Sequence, residues 1–157
     1  MYRKTGVITL KELKSNGLLP PRERMLRGPV AVAECPEEIP CNVCASKCPS
    51  NAVKVEGLRG KPKIDWERCT GCGVCVGFCP GLAFFVVDLS KSPALVTVPH
   101  EFLPRPEPGL KVSLLSRDGK RVGKGRVVKV FEVNKTLVVT VEVPRELAME
   151  VRAVWVD

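Results

Sequence analysis

Apolar and polar residues alternate with a period of two over the last third of the chain. The alternation predicts strands at 111–115, 125–133, 136–143 and 151–156, with turns at 117–120 and 134–135 between the first three. Four or five short antiparallel strands in so few residues are typical of a small barrel. We therefore predict a C-terminal antiparallel β-barrel, SH3-like or OB-like, over residues 110–157.

The start of the chain has a helical pattern in two short pieces. Thr9 predicts an N-cap for a helix over 10–15, with Glu12 as its capping-box partner, and a second helix is predicted over 21–26. These pieces look too short to fold alone. Residues 1–29 are predicted to be an N-terminal extension that packs on the rest of the chain or on a partner.

The middle of the chain contains an internal repeat. A shift of 31 residues superimposes two Cys-Pro dipeptides, Cys48-Pro49 and Cys79-Pro80, together with the two cysteines nearest before each and an alanine and a valine that follow. Each copy predicts a strand, a cysteine loop, a short helix and a returning strand, the latter at 51–55 and 83–87. We predict one unit over residues 30–90, followed by a proline-rich connector over 91–109.

The charge of the chain adds little to this picture. The formal net charge is +8, but residues 35–90 carry equal numbers of basic and acidic side chains, so the excess lies in the flanks. A solvated basic surface explains this better than a nucleic-acid groove, and no nucleic acid is expected as a partner. The sequence has no apolar run of membrane-spanning length and no secretory signal, which predicts a soluble, cytoplasmic protein without a membrane span.

The cysteines carry the chemistry. All eight lie between residues 35 and 79, and the second group has the spacing C-x2-C-x2-C-x3-C-P, by which thiolates hold 4Fe-4S clusters. The first group ends in the same way, but its leading cysteine stands six residues before the next. Disulfides are disfavoured in a reducing compartment. The rival metal is zinc in two all-cysteine sites, although zinc ribbons usually lack paired Cys-Pro ends.

Nucleophilic catalysis is a poorer interpretation of these cysteines. The single histidine, His100, lies in the predicted connector and offers no base beside a thiol. No Gly-rich dinucleotide loop or general base is recognisable. The chain is expected to be non-catalytic, without a substrate site of its own.

At these residues the chain resembles the bacterial-type 2[4Fe-4S] ferredoxin family. The resemblance covers about residues 30–90 and implies an α+β fold: a ferredoxin-like two-cluster (βαβ)2 domain, here followed by the small barrel. It also implies that the cysteine before each proline binds the cluster of the other repeat. The expected ligands are therefore Cys35, Cys41, Cys44 and Cys79 for cluster I, and Cys69, Cys72, Cys75 and Cys48 for cluster II.

A narrower resemblance concerns the runs 34–44, 79–83 and 99–104. They are similar to ferredoxin-type subunits of FAD-dependent dehydrogenases of proline, hydroxyproline and related amino acids. This resemblance implies an electron-transfer subunit in a hetero-oligomer, with FAD only on flavoprotein dehydrogenase partners. Two alternatives stay open: a free, diffusing ferredoxin, and a nucleic-acid-binding module in which the clusters are structural.

The six-residue spacing between Cys35 and Cys41 leaves two interpretations of Cys35, as a ligand of cluster I or as a residue that does not bind it. Cys35 follows a predicted strand as Cys69 does, which favours four ligands for cluster I. If Cys35 does not bind, cluster I is a three-iron cluster.

Overall fold

The computed structural model describes residues 2–36 and 38–157. The helices are α1 (Tyr2–Thr5), α2 (Leu10–Ser15), α3 (Arg22–Leu26), α4 (Val43–Lys47) and α5 (Val74–Phe78), with a 3-10 turn at Arg145–Leu147. The strands are β1 (Val30–Ala33), β2 (Val53–Val55), β3 (Pro62–Ile64), β4 (Phe84–Asp88), β5 (Ala94–His100), β6 (Lys111–Ser116), β7 (Arg121–Val133), β8 (Thr136–Val143) and β9 (Val151–Trp155).

Helix α2 begins with the capping box predicted from the sequence. The backbone N–H of Glu12 donates to the Thr9 hydroxyl over 3.2 Å, and the backbone N–H of Thr9 donates to the Glu12 carboxylate over 3.2 Å. Each bond satisfies a backbone donor that a helix start leaves without an intrahelical partner. Leu13, on the inner face of the helix, is fully buried. The predicted start and position of this helix are confirmed.

One mostly antiparallel sheet runs through both halves of the chain. Within the described residues its strand order is β1-β4-β5-β8-β7-β6-β9, and β2 and β3 form a separate antiparallel pair. Strand β1 leads into the first cysteine group and β4 follows the last cysteine, with Val30 opposite Val87 and Ala33 opposite Phe84. The fold is therefore mixed α and β, with the cysteine loops at one end of a long sheet.

The stretch 91–109 differs from the prediction of a connector. Residues 94–100 form β5, which pairs with β4 on one side and with β8 along its whole length on the other. The physical reason is its apolar content: Ala94, Val96 and Val98 are fully buried, while Pro99 lies near the strand end. Pro93 therefore precedes the strand and Pro99 is accommodated within it, while Pro104, Pro106 and Pro108 lie beyond its end. The division of the chain into separate domains stays a prediction.

A shared apolar core explains why the sheet is continuous. Val32 and Val87 of β1 and β4 belong to the same buried cluster as Val96 of β5, Val139 of β8 and Leu114 of β6. Burying apolar area contributes roughly 25 cal/mol per Å², and here that area is shared between the cysteine-bearing half and the C-terminal half. Separating the two halves would expose it.

Strand β9 lies beside β5 without pairing with it, so the C-terminal strands curl back on themselves. This arrangement is compatible with a barrel, which stays a prediction together with the two-cluster fold. No helix in the described ranges 2–36 and 38–157 has the length and apolar content needed to cross a lipid bilayer.

A buried group of charges joins the two halves next to the first cysteine. The Glu34 carboxylate accepts two hydrogen bonds from Arg117, at 2.7 and 2.8 Å, and one from Arg152 at 2.6 Å. Arg152 also donates to the carbonyls of Ala148 and Val151. Burial acts to raise the pKa of Glu34, but the two guanidinium groups outweigh it and hold that pKa below its usual value.

Glu34→Gln is expected to destabilise the fold strongly, because it removes the buried carboxylate that Arg117 and Arg152 share and leaves only the half-exposed Glu150 carboxylate, 3.9 Å from Arg117. Breaking a buried ion pair costs about 3–5 kcal/mol, which corresponds to roughly 6–20 °C in the thermal midpoint of a protein of this size. The measurement is thermal unfolding by circular dichroism, at one scan rate and without oxygen.

Glu67→Gln is the matched control, since it breaks the ion pair with Arg27 at the surface, where both side chains are more than half exposed. An exposed pair contributes about 0–1 kcal/mol. Equal loss of stability in both variants would contradict the role assigned to Glu34.

Candidate metal centre

Four thiols line one small cavity. They belong to Cys35, Cys41, Cys44 and Cys79, and the rest of the wall comes from Ile39, Gly60, Pro62, Pro80 and Phe84. Three of the cysteines come from the first group and one from the second. The structure thus brings together the four residues that the resemblance assigns to cluster I, including Cys35 despite its widened spacing.

The other four thiols line a second small cavity. Cys69, Cys72 and Cys75 come from the second group, and Cys48 comes from the first. Gly71 and Gly73 also line this cavity, and Gly71 has a φ of +70°, a conformation that glycine adopts without strain. These are the four residues that the resemblance assigns to cluster II. Their role as ligands remains a prediction.

The two short helices explain the exchange of cysteines between the cavities, that is, why each cavity has three thiols from one cysteine group and one from the other. Helix α4 carries Cys44, which lines the first cavity, and ends at Cys48, which lines the second. Helix α5 carries Cys75 and ends at Cys79 in the converse arrangement. The two helices contact each other. Each helix therefore supplies one thiol to the first cavity and a different thiol to the second.

The chain turns in the same way after both helices. Cys48 and Cys79 are extended, with φ/ψ of −68/116° and −65/114°. Asn51 and Leu82, which occupy equivalent repeat positions, are both left-handed. The backbone N–H groups of Ala52 and Ala83 then donate to the sulfurs of Cys48 and Cys79 over 3.3 and 3.4 Å. The internal repeat is therefore a repeat of conformation and of hydrogen bonding.

Burial disfavours the thiolate form of two of the cysteines, Cys44 and Cys75. Burial raises the pKa of the Cys44 thiol to about 11, against a hydrogen bond from the N–H of Ala45, and it also raises the pKa of Cys75. At Cys48 burial again acts upward, but hydrogen bonds from the Ser50 hydroxyl and nearby backbone N–H groups outweigh it and lower the pKa. Bound metal ions stabilise thiolates in such places.

The donor set fits an iron-sulfur cluster. Each cavity offers four sulfurs and, among the described residues that line it, no His, Asp or Glu side chain. Backbone N–H groups already point at four of the sulfurs, those of Cys44, Cys48, Cys69 and Cys79. Among the described residues, no three Cys, His, Asp or Glu side chains meet closely enough to hold a single ion. The sulfurs instead surround each cavity.

Residues far from the cysteines in sequence also shape the second cavity. Phe131 lies so close to Gly73 that a Cβ there would be 3.1 Å from its ring. At Gly77 a Cβ would be 2.3 Å from the Cβ of Val133, so β7 and helix α5 pack in direct contact. Arg24 hydrogen-bonds the carbonyl of Cys69. These residues could not be identified from the sequence, because nothing in their local pattern indicates partners about 45 to 60 residues away.

Comparison with known proteins agrees with this chemistry. Residues 62–85 match the family model described as 4Fe-4S binding domain. The chain is 35% identical over 57 residues to the ferredoxin-type protein NapF of Haemophilus influenzae, covering 34% of this chain and 32% of that protein. It is 36% identical over 53 residues to the polyferredoxin-like subunit of the aliphatic sulfonate oxidoreductase of Pyrococcus furiosus, covering 34% of this chain and 28% of that one.

A third relative is a subunit of the ion-translocating oxidoreductase complex of Methanosarcina acetivorans. It is 43% identical over 42 residues, which are 27% of this chain and 15% of the relative. The matched segments thus span a third or less of these relatives. No solved structure matches the chain. Together, the family match and the relatives support a ferredoxin-like iron-sulfur protein of electron transfer that holds 4Fe-4S clusters.

The exchange of cysteines between the cavities can be tested by pairing substitutions. Cys75→Ala is expected to remove the second cluster and leave about half of the iron, roughly four atoms per chain. Adding Cys48→Ala should remove no more iron, since both thiols line the same cavity. Adding Cys79→Ala instead should remove the rest. Iron and sulfide analysis of the anaerobically loaded protein measures this.

The two double variants lack the same number of thiols and therefore control for each other. If Cys48→Ala removed the remaining iron and Cys79→Ala did not, each cluster would be held by its own repeat and the exchange would be wrong.

Cys35 is expected to complete a four-iron cluster, because it lines the first cavity with the other three thiols. The anaerobic, oxidised protein should show no EPR signal of a three-iron cluster, and Cys35→Ala should produce one. A strong three-iron signal in the unsubstituted protein kept free of oxygen would show that Cys35 is not a ligand.

Proposed function

We propose that the protein is an electron-transfer subunit that holds two 4Fe-4S clusters and works in a heteromeric oxidoreductase. The observation that carries the proposal is the pair of cavities, each lined by four thiols, with one thiol in each supplied by the other cysteine group. The match of residues 62–85 to a 4Fe-4S binding domain supports the same chemistry.

In this proposal the chain's own residues hold and insulate the clusters. Cys35, Cys41, Cys44 and Cys79 bind one cluster, and Cys48, Cys69, Cys72 and Cys75 bind the other. A bound 4Fe-4S cluster supplies one-electron chemistry at a potential set by its surroundings. The buried side chains of Val53, Val76 and Phe84 keep water away, and backbone N–H groups lower the negative charge on the sulfurs.

The proposed partner is a flavoprotein. Two of the relatives are named as subunits of oxidoreductases, which favours a complex over a free ferredoxin. The finer proposal is an FAD-dependent dehydrogenase of proline, hydroxyproline or a related amino acid, supported by the short runs 34–44, 79–83 and 99–104. FAD would then lie on the partner, and the chain would relay its electrons one at a time to an acceptor.

Purification of the tagged chain from its native cells under anaerobic conditions tests this proposal. A flavin-containing chain is expected to co-purify, identified by mass spectrometry and by its absorption spectrum. Adding proline or hydroxyproline to that complex should reduce the clusters, as followed by EPR. A complex from cells expressing the Cys44→Ala, Cys75→Ala variant is the control, since it should keep the flavoprotein and lose the EPR signals.

Each outcome selects one function. Cluster reduction by proline or hydroxyproline supports an amino-acid dehydrogenase as the partner. Cluster reduction by another substrate supports a flavoprotein complex but rejects an amino acid as its substrate. A monomer without partners would indicate a diffusible ferredoxin and overturn the subunit role. Retention of nucleic acid that is lost at high salt would indicate a nucleic-acid-binding module instead.

A further inference from the structure

Arg24 of helix α3 is a buried cation whose hydrogen-bond partners among the described residues are all carbonyl groups. The residue is only 9% exposed. Nε donates to the carbonyl of Trp66 over 2.6 Å, and Nη1 donates to that of Gly28 over 3.2 Å. Nη2 donates to the backbone carbonyl of Pro29 over 3.1 Å and to the backbone carbonyl of Cys69 over 2.9 Å. One guanidinium therefore joins the N-terminal extension to a thiol-bearing residue of the second cavity.

The same N-terminal segment holds Cys69 at its sulfur. The backbone N–H of Ala31 donates to the Cys69 sulfur over 3.3 Å. Pro29 packs so tightly against Gly71 that a Cβ at Gly71 would lie 2.5 Å from the Cβ of Pro29. Both the carbonyl and the sulfur of Cys69 are thus positioned by residues that precede the first cysteine group.

The positive charge of Arg24 meets no carboxylate among these partners. The nearby Glu67 pairs with Arg27 at the surface over 2.6 Å, and its pKa is lowered mainly by that pair and least by the charge of Arg24. Beside the first cavity the situation is different, since the buried Arg117 and Arg152 share the Glu34 carboxylate and Glu150 lies 3.9 Å from Arg117, so two positive charges there face two carboxylates. Because burial limits screening by water and salt, the charge of Arg24 acts strongly on the second cavity.

We infer that Arg24 is a positioning residue of the second cysteine site, which fixes Cys69 and raises the reduction potential of the cluster bound there. The inference rests on the proposed two-cluster function. Reduction by one electron from the reduced partner adds one negative charge, and a fixed, buried positive charge beside Cys69 stabilises that added charge. The electron is therefore held preferentially at the second site, where the exposed Cys72 offers an exit to an acceptor.

EPR-monitored redox titration of the cluster-loaded, full-length protein tests the inference. Arg24→Gln is expected to shift the potential of one cluster to a more negative value and to leave the other unchanged. The shift should be absent in Cys75→Ala, which retains only the first cluster. Arg24→Lys keeps the charge but cannot reach all four carbonyls, so it should shift the same cluster by less than Arg24→Gln.

Arg27→Gln is the matched control, because Arg27 follows the same helix and bonds the exposed Glu67. It should move neither potential. Release of iron to a chelator gives a second readout, in which both Arg24 variants should lose the second cluster faster than the unsubstituted protein.

Three results would overturn the inference. Faster iron release with both potentials unchanged in Arg24→Gln and Arg24→Lys would make Arg24 a packing residue only. An equal shift in Arg27→Gln would indicate a general effect of surface charge. Fewer than two clusters in the unsubstituted protein would reject the proposed function and this inference together, which distinguishes that failure from the other two.

Discussion

The buried contact of Glu34 with Arg117 and Arg152 connects the two halves of this protein. Glu34 stands between β1 and the first cysteine, Arg117 follows β6, and Arg152 lies in β9. A buried ion pair adds little net stability over an apolar contact, but it is costly to leave incomplete. It therefore favours one arrangement of the C-terminal strands against the cysteine region over others. The guanidinium of Arg152 also lies 5.1 Å from the ring centroid of Phe85 in β4, which ties the same charge to the sheet.

The seven-stranded sheet joins the same two halves that the contact of Glu34 with Arg117 and Arg152 connects. Since β5 continues the sheet from β4 into β8, the cysteine-bearing half and the C-terminal half share one apolar core. A movement of one half against the other would break backbone hydrogen bonds and expose buried valines. The cysteine loops are thus attached to a sheet whose strands are hydrogen-bonded to one another and share one apolar core.

The two cavities have the same construction but different surroundings. The turns after α4 and α5 are nearly identical, down to the N–H groups that bond Cys48 and Cys79. Around the second cavity, however, the N-terminal extension and β7 pack directly on the cysteine loop, through Arg24, Pro29 and Phe131. Around the first, Ile39 is half exposed and Lys61 pairs with Glu38 at the surface. Two copies of one unit have therefore been placed in two different electrostatic environments.

Local features could be predicted from the amino acids alone: the Thr9 and Glu12 cap, most strand positions, the internal repeat and eight sulfurs as candidate ligands. These features depend on residues that are close together in the chain, and the spacing of those residues determines the local structure that they form. The role of β5 was missed, because the prolines at 93, 99 and 104 dominate the local pattern while burial against β4 and β8 decides the conformation. The contacts of Arg24 with Cys69 and of Glu34 with its two arginines are products of the three-dimensional fold, since they join residues 45, 83 and 118 positions apart. No periodicity or motif encodes such pairs, and they form only when the shared core brings the segments together.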